Sequence, residues 1–142
     1  MVIREASVHD VPSLQFLCTE LGYPCSSEEI LVRIENLVSR TDHAIFITTD
    51  ASDNITAWIH LFETYRLESP PFAEIGGFIV HPDHRRMGIA ARMIEHARHW
   101  TKARGLDKLC VRCSAERVDG NRFYKSAGFQ LNKIQKVWHL IL

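Results

Sequence analysis

The stretch "HPDHRRMGIAARMIEHA", residues 81–97, decides how the chain is read. It sets two arginines and a glycine where an apolar run, "FIV" at 78–80, gives way to a helical pattern. A helix start leaves backbone N–H groups unpaired and carries partial positive charge, so it draws anions. Arg85 and Arg86 add full charges, and Gly88 lets a ligand approach the backbone closely. Basic residues oppose the dipole at that end, which argues against an ordinary solvated first turn. A phosphate site is the expectation. It is not a Walker loop, because "IAAR" follows Gly88 where G-K-[ST] is needed. A dinucleotide fingerprint fails too, lacking three spaced glycines and a later acidic residue.

Outward from this stretch, the pattern alternates between helix and strand signals. "SVHD" reads as a capping box with Ser7 as N-cap and Asp10 three later, leading a helix that carries Val11, Leu14, Cys18 and Leu21 on one face and ends at Gly22. "CSSEEILVRIENLV" repeats the device with Ser26 and Glu29, ahead of a stripe of Ile30, Ile34, Leu37 and Val38. "AIFITT" and "ITAWIHLFE" flank the turn signal "DASDN" and form a hairpin. "SPP" breaks the chain before a third strand, "FAEIGGFIV". A long helix from about Arg86 to Arg104 buries Ile89, Met93, Ala97 and Trp100. "LDKLCVRCS" then reads as a strand, "DGNRFYKSAGF" as a short helix capped by Gly128, and "QKVWHLIL" as a last strand. The order predicts an α/β layer structure.

Composition narrows the function classes. The 142 residues suit one domain, and 17 basic against 17 acidic residues give no global field for nucleic acid or an anionic membrane. Neither a signal-peptide core at the start nor an apolar run near ~18 residues is present, so a cytoplasmic, non-membrane protein is expected. The four cysteines read as reduced, buried small hydrophobes; Cys110 and Cys113 lie three apart on a strand and so point to opposite faces. His96 and His99 are one helical turn apart, but no carboxylate or cysteine set completes a metal site, and no metal is expected.

R-x-x-G-x-A at Arg85, Gly88 and Ala90 resembles the pyrophosphate motif of the GNAT family, the acetyl-CoA-dependent N-acetyltransferases. "NRFYKSAGF", Asn121 to Phe129, resembles that family's late FY-x-x-x-GF segment. The resemblance covers nearly the whole chain. It implies one GNAT domain over residues 1–142: a mixed, mostly antiparallel central sheet flanked by helices, with strands splayed around an acetyl-CoA groove. Carried over residue by residue, Arg85, Arg86, Met87, Gly88, Ile89, Ala90 and Ala91 would hold the CoA pyrophosphate, chiefly through backbone amides. Ile79 and Val80 would bond the pantetheine arm as an added strand, and the Phe78 N–H would serve the oxyanion. Asn121 is a further candidate cofactor contact.

Acetyl transfer to an amine requires a proton acceptor, an oxyanion donor and a proton for the departing thiolate. Glu74, eleven residues before Arg85, resembles in its spacing the glutamate of the histone acetyltransferase branch and is the candidate base. Strict alternation puts Glu74, Gly76, Phe78 and Val80 on one face, and "GG" at 76 and 77 suits a β-bulge. Tyr124 matches the family's thiol-protonating tyrosine. Two positions depart from common family patterns: Arg117 stands where many relatives carry Asn, and Arg112 where ribosomal-protein acetyltransferases carry Glu. Glu20, Glu28, Glu29, Glu63, Glu68 and Glu74 could rim an acceptor site for a cationic amine, with a small molecule preferred over a protein. The competing classes are a non-catalytic CoA-binding or regulatory module and a peptide amine acetyltransferase. A homodimer through "KVWHLIL" is also open, since an apolar edge seeks pairing.

Overall fold

The computed structural model describes all residues, 1–142, as two compact units, Met1–Val111 and Arg112–Leu142. The first unit is built on a five-stranded sheet of order β1-β2-β3-β4-β5. Its strands are β1 (Val2–Glu5), β2 (His43–Thr49), β3 (Ile55–Arg66), β4 (Ser69–Val80) and β5 (Leu109–Val111). Only the β4–β5 pairing is parallel. The α/β, mostly antiparallel architecture expected from the sequence is observed.

Helices α1 (Val11–Leu21) and α2 (Ser27–Val38) cover one face. Val11, Leu14, Ile30 and Ile34 close over Ala6 and Ile47, with Ile45 and Trp58 packed against them. Neighbouring β2 residues point the other way, so Phe46 lies on the opposite face, edge-on to His96 of α3 (Ile89–Ala103) with ring centroids 4.4 Å apart. Ile59 and Leu61 share that second face by register and are fully buried with Met93 and Ala97. Ile59, Leu61 and Met93 each contribute roughly 1.5–3 kcal/mol by leaving water.

Local chemistry explains the boundaries. The Ser7–Asp10 capping box forms, but around a 3-10 turn at Val8–Asp10, with α1 starting only at Val11. Arg4 grips the Asp10 carboxylate at 2.8 and 2.9 Å, joining β1 to this turn and holding the carboxyl below its ordinary pKa. Gly22, at φ 99°, ends α1. Ser26 caps α2 by accepting from the Glu29 N–H, while the Glu29 side chain turns to Arg33 at 3.2 Å instead of closing a second box. Asp50 builds the β2–β3 turn by accepting from the Ser52 and Asn54 N–H groups at 2.8 and 2.9 Å.

Several expectations are corrected. β1 was not anticipated; an edge strand with mostly exposed side chains shows no alternation. Leu17 is buried in α1, whereas Val38 of α2 is exposed. "SPP" does not interrupt the sheet: β4 starts at Ser69, and the register shift between Thr64 and Arg66 accommodates the two prolines. α3 begins at Ile89, three residues later than expected. The strand over 106–114 shrinks to Leu109–Val111. All four cysteines are free thiols and half-buried rather than buried.

The second unit contains α4 (Val118–Ser126), whose end is marked by Gly128 at φ 98°. No strand forms from "QKVWHLIL"; residues 129–142 carry neither helix nor strand. No helix of the protein is long and apolar enough to cross a membrane.

Candidate functional site

Between β4 and α3 the chain turns twice through left-handed conformation, at Arg86 (φ 63°) and at Gly88 (φ 77°). His81 starts this segment by accepting from the Asp83 N–H on its Nδ1 at 3.1 Å. Gly88 is the N-cap of α3 and offers no side chain to its amides, and the first turn has no acidic residue. The Arg92 N–H bonds back to the Gly88 carbonyl at 3.2 Å. The amides of Ile89, Ala90 and Ala91 precede it and point out of the helix start. Arg85, Arg86 and Arg92 are exposed, and none has a carboxylate within ion-pair distance. Met87 is exposed as well. A cavity of about 250 Å³ adjoins the turn, lined by Thr49, Asp50, His84, Met87, Ile89 and Arg92 among others. Successive amides at a left-handed turn and an uncapped helix start make an anion-binding concavity.

Strand β4 leads into this turn, and its hydrogen-bond parity can be followed. The His81 N–H donates to the Thr56 carbonyl at 2.7 Å, so these two form a hydrogen-bonded pair. Antiparallel ladders alternate bonded and non-bonded pairs. Trp58–Ile79 and His60–Gly77 are therefore bonded, whereas Ala57–Val80 and Ile59–Phe78 are not. Phe78 and Val80 thus turn N–H and C=O away from β3, and the Arg85 Nε meets the Val80 carbonyl on that side at 3.4 Å. The β4–β5 ladder covers only Ala73–Ile75, while β4 runs on to Val80. The β4–β5 pairing ends at Ile75, three residues before these outward groups begin. Ile79, expected to contact pantetheine, directs its backbone groups into β3 instead.

The register shift between His60 and Leu61 makes Gly76 the extra residue of a bulge. That bulge overturns the alternation expected for this strand. Glu74 opposes Phe62, and Gly77 and Ile79 oppose His60 and Trp58, so Glu74 shares a face with Gly77 and Ile79 rather than with Phe78 and Val80. One inserted residue flips the parity of everything after it. Space also explains both glycines. A Cβ on Gly76 would lie 2.7 Å from His60 Nδ1, and one on Gly77 2.6 Å from the Trp58 ring.

Glu74 is buried inside β4, not at a strand end, with Arg66 at 3.8 Å. Arg66 also reaches Glu68 at 4.0 Å and lies over the Phe72 ring. Of the acidic rim, Glu29 pairs with Arg33, and Glu63 pairs with Arg104 at 2.9 Å and accepts from the Tyr65 hydroxyl. In the second unit, Tyr124 sits on α4 between Phe123 and Phe129, at ring centroid distances of 5.3 and 5.4 Å. Burial, with the Cys113 thiol nearby, pushes its phenol up to about 12. It stays protonated at every physiological pH. Asn121 Nδ2 donates to the Ser114 and Arg117 carbonyls at 2.8 and 2.7 Å, which leaves its Oδ1 as the atom able to meet a ligand.

Sequence reading missed a polar row on the α1–α2 face. His43 Nδ1 lies 2.9 Å from His60 Nε2, and the rings stack with Phe62 alongside. Burial, then the neighbouring His43, pushes His60 down to about 4. The indole Nε1 of Trp58 is buried without a hydrogen-bond partner. The alternating "HAI" and "WIHLF" patterns held this information, but nothing in them says which face the acceptor side would occupy. Elsewhere His81 stacks on Phe16, and His99, one of the two histidines weighed for a metal, pairs with Glu95 at 3.4 Å.

The family described as Acetyltransferase (GNAT) family matches residues 8–129. No curated protein sequence matches the chain. Among solved structures, aminoglycoside antibiotic 6'-N-acetyltransferase AAC(6')-IG from Acinetobacter haemolyticus superimposes with TM-score 0.88 at 20% identity, over 100% of this chain and 99% of that one. AAC(6')-Ih from Acinetobacter baumannii gives 0.87 at 16%, over 99% and 98%. AAC(6')-Iy, solved in complex with a bisubstrate analogue, CoA-S-monomethyl-acetylneamine, gives 0.87 at 17%, over 99% and 98%. At such identities the likeness concerns the fold.

Proposed function

The chain belongs to the GNAT acetyltransferase family, and from that premise we propose that it moves an acetyl group from acetyl-CoA to the primary amine of a small cationic molecule. One observation carries the reading. The turn at Arg86–Gly88 presents uncapped helix-start amides beside three arginines that lack carboxylate partners. That donor set suits a pyrophosphate, with Ile89, Ala90 and Ala91 giving N–H groups and Arg85 or Arg86 giving charge. The outward backbone groups of Phe78 and Val80 suit an extended amide chain added beside β4.

When bound, the cosubstrate supplies an acyl thioester. The protein's own part follows from its residues. Phe78 N–H donates to the carbonyl oxygen as that atom gains negative charge. Glu74 accepts the amine proton, directly or through a water, and Arg66 holds the carboxylate in place. Tyr124 gives its phenolic proton to the departing sulfur and is reprotonated from solvent. The polar row of His43, His60 and Trp58 lies on the same face as Glu74 and supports an amine approaching from the α1–α2 side. The aminoglycoside transferases of the same fold make aminoglycosides the first acceptors to try.

The test is a thermal melt with and without acetyl-CoA, followed by release of free thiol in the presence of aminoglycosides, polyamines and lysine peptides. Ligand at 100-fold over its Kd should add ~2.7 kcal/mol, or roughly 6–10 °C at this chain length. Gly88→Glu should abolish the shift, since it puts a carboxylate where the pyrophosphate would lie. No shift at millimolar acetyl-CoA overturns the cofactor reading. A shift without thiol release from any amine would instead identify a CoA-binding module.

A further inference from the structure

On the sheet face that carries Glu74, two imidazoles meet at one contact. His43 Nδ1 and His60 Nε2 lie 2.9 Å apart, and the rings stack with centroids 5.1 Å apart. Phe62, opposite His43 in the β2–β3 register, packs on both rings at 5.2 and 5.4 Å. Burial keeps both rings neutral at physiological pH. Two neutral imidazoles joined in this way share a single hydrogen. When it sits on His60 Nε2, His60 Nδ1 is a lone pair and His43 Nε2 carries an N–H. When it sits on His43 Nδ1, both outer nitrogens reverse. A proton received at one outer nitrogen therefore releases one at the other.

The two ends face different places. His60 Nδ1 faces Gly76, the bulged residue of β4, where a Cβ would stand 2.7 Å from it. Any side chain at that position would fill the space in front of the nitrogen, and glycine leaves it open. Gly76 lies two residues from Glu74 and two from Phe78, about 7 Å along the strand each way. The other end, His43, is the half-buried first residue of β2 and follows Thr41, which is exposed, and Asp42, which pairs with exposed Arg40 at 3.2 Å. The charged groups around the pair are thus Glu74 and Arg66 on the inner side, Asp42 and Arg40 on the outer.

We propose that His60 and His43 form a proton wire that takes the amine's proton from Glu74 and delivers it to solvent. The inference rests on the transferase reading, with Glu74 as proton acceptor. The Glu74 carboxyl gives its proton to His60 Nδ1, directly or through a water. The His60 Nε2–H passes to His43 Nδ1, and the His43 Nε2–H passes to solvent. Glu74 is left a carboxylate, and both rings stay neutral with their hydrogens on Nδ1. Exchange with water at the two outer nitrogens, after product leaves, restores the starting tautomers. Both histidines act through Glu74 and are positioning residues.

Thiol release from acetyl-CoA tests the wire, with whichever of neamine, spermidine and a lysine peptide reacts fastest as the amine. His43→Ala should lower kcat by about tenfold or more and raise its solvent deuterium effect, with KM for acetyl-CoA unchanged. Added imidazole should restore much of the rate, and thiophene, a ring of similar size without an exchangeable nitrogen, should not. His43→Phe keeps the stack on Phe62 and should show the same loss, which covers a His43→Ala protein that does not fold. Nitrogen-15 spectra of the unaltered protein should show one N–H per ring, on the same nitrogen in both. An active wild type with His43→Phe at full kcat overturns the wire and leaves the transferase reading standing. Equal rescue by thiophene, or rings in unlike tautomers, does the same. A wild type that releases no thiol with any of the three amines overturns the transferase reading and the wire with it.

Discussion

Two glycine-marked places build the candidate site, and they need glycine for opposite reasons. At Gly88 a side chain would have open space around it, with no atom within 4 Å of a Cβ, but the backbone stands at φ 77°. At Gly76 and Gly77 no left-handed conformation is involved; a Cβ there would strike His60, Phe62 or Trp58 at 2.6–2.9 Å. The first glycine shapes the main chain at a helix start, a local task. The second pair lets aromatic side chains of β3 lie against β4, a task set by the neighbouring strand. Substitutions should therefore behave differently at the two places.

The largest expected effect concerns the ring over Gly76. His60 is held down to about 4 against an ordinary 6.5, so above pH 6.5 it is neutral folded or unfolded. Between about 6.5 and 4 the unfolded chain binds a proton that the folded one refuses. Stability therefore falls with pH across that window, by about 3 kcal/mol. Urea unfolding at pH 7.5 and 4.5 measures it, and His60→Asn should flatten most of the slope. An equal slope in both proteins would show that the ring is not held neutral by its packing.

Gly77→Ala should cost about 2 kcal/mol in urea unfolding, because its methyl group meets the Trp58 ring and not a flexible tip. A second change, Trp58→Leu, should recover part of that loss, which separates crowding from backbone strain. Tyr124→Phe removes only a hydroxyl, on α4, and serves as a third comparison. It should lower kcat about tenfold with the acetyl-CoA-induced melting shift intact, less than general acids usually contribute because a phenol held near 12 gives up its proton reluctantly. Smallest of all, Gly88→Ala should cost about 1 kcal/mol from the left-handed backbone alone, and Gly88→Asn less, since Asn tolerates that conformation. Should Gly88→Ala prove as damaging as Gly77→Ala, the distinction between conformation and space would fail.

Much of this was legible beforehand, and the legible parts share a property. The helix starts at Ser7 and Ser26, the Asp50 turn and the Arg86–Gly88 loop are each made by residues within a few positions of one another. Strand β1 was not legible because an edge strand with exposed side chains has no burial period to read. The orientation of Glu74 escaped for a different reason. Alternation counts residues along one strand, and the bulge at Gly76 is defined only by pairing with β3. Arg66 beside Glu74 and His60 beside His43 were invisible on the same ground.

By itself, the sequence determined the glycine turn ahead of α3, the helix that follows it and the family to which both belong. Backbone amides at a helix start need no distant residue to point outward. Only the tertiary structure decided which face Glu74 shares, that Ile79 bonds to β3 while Phe78 and Val80 look away, and that "VWHLIL" lies exposed instead of forming a strand. A strand's parity and its very existence depend on the strand beside it, and that neighbour is chosen by the fold.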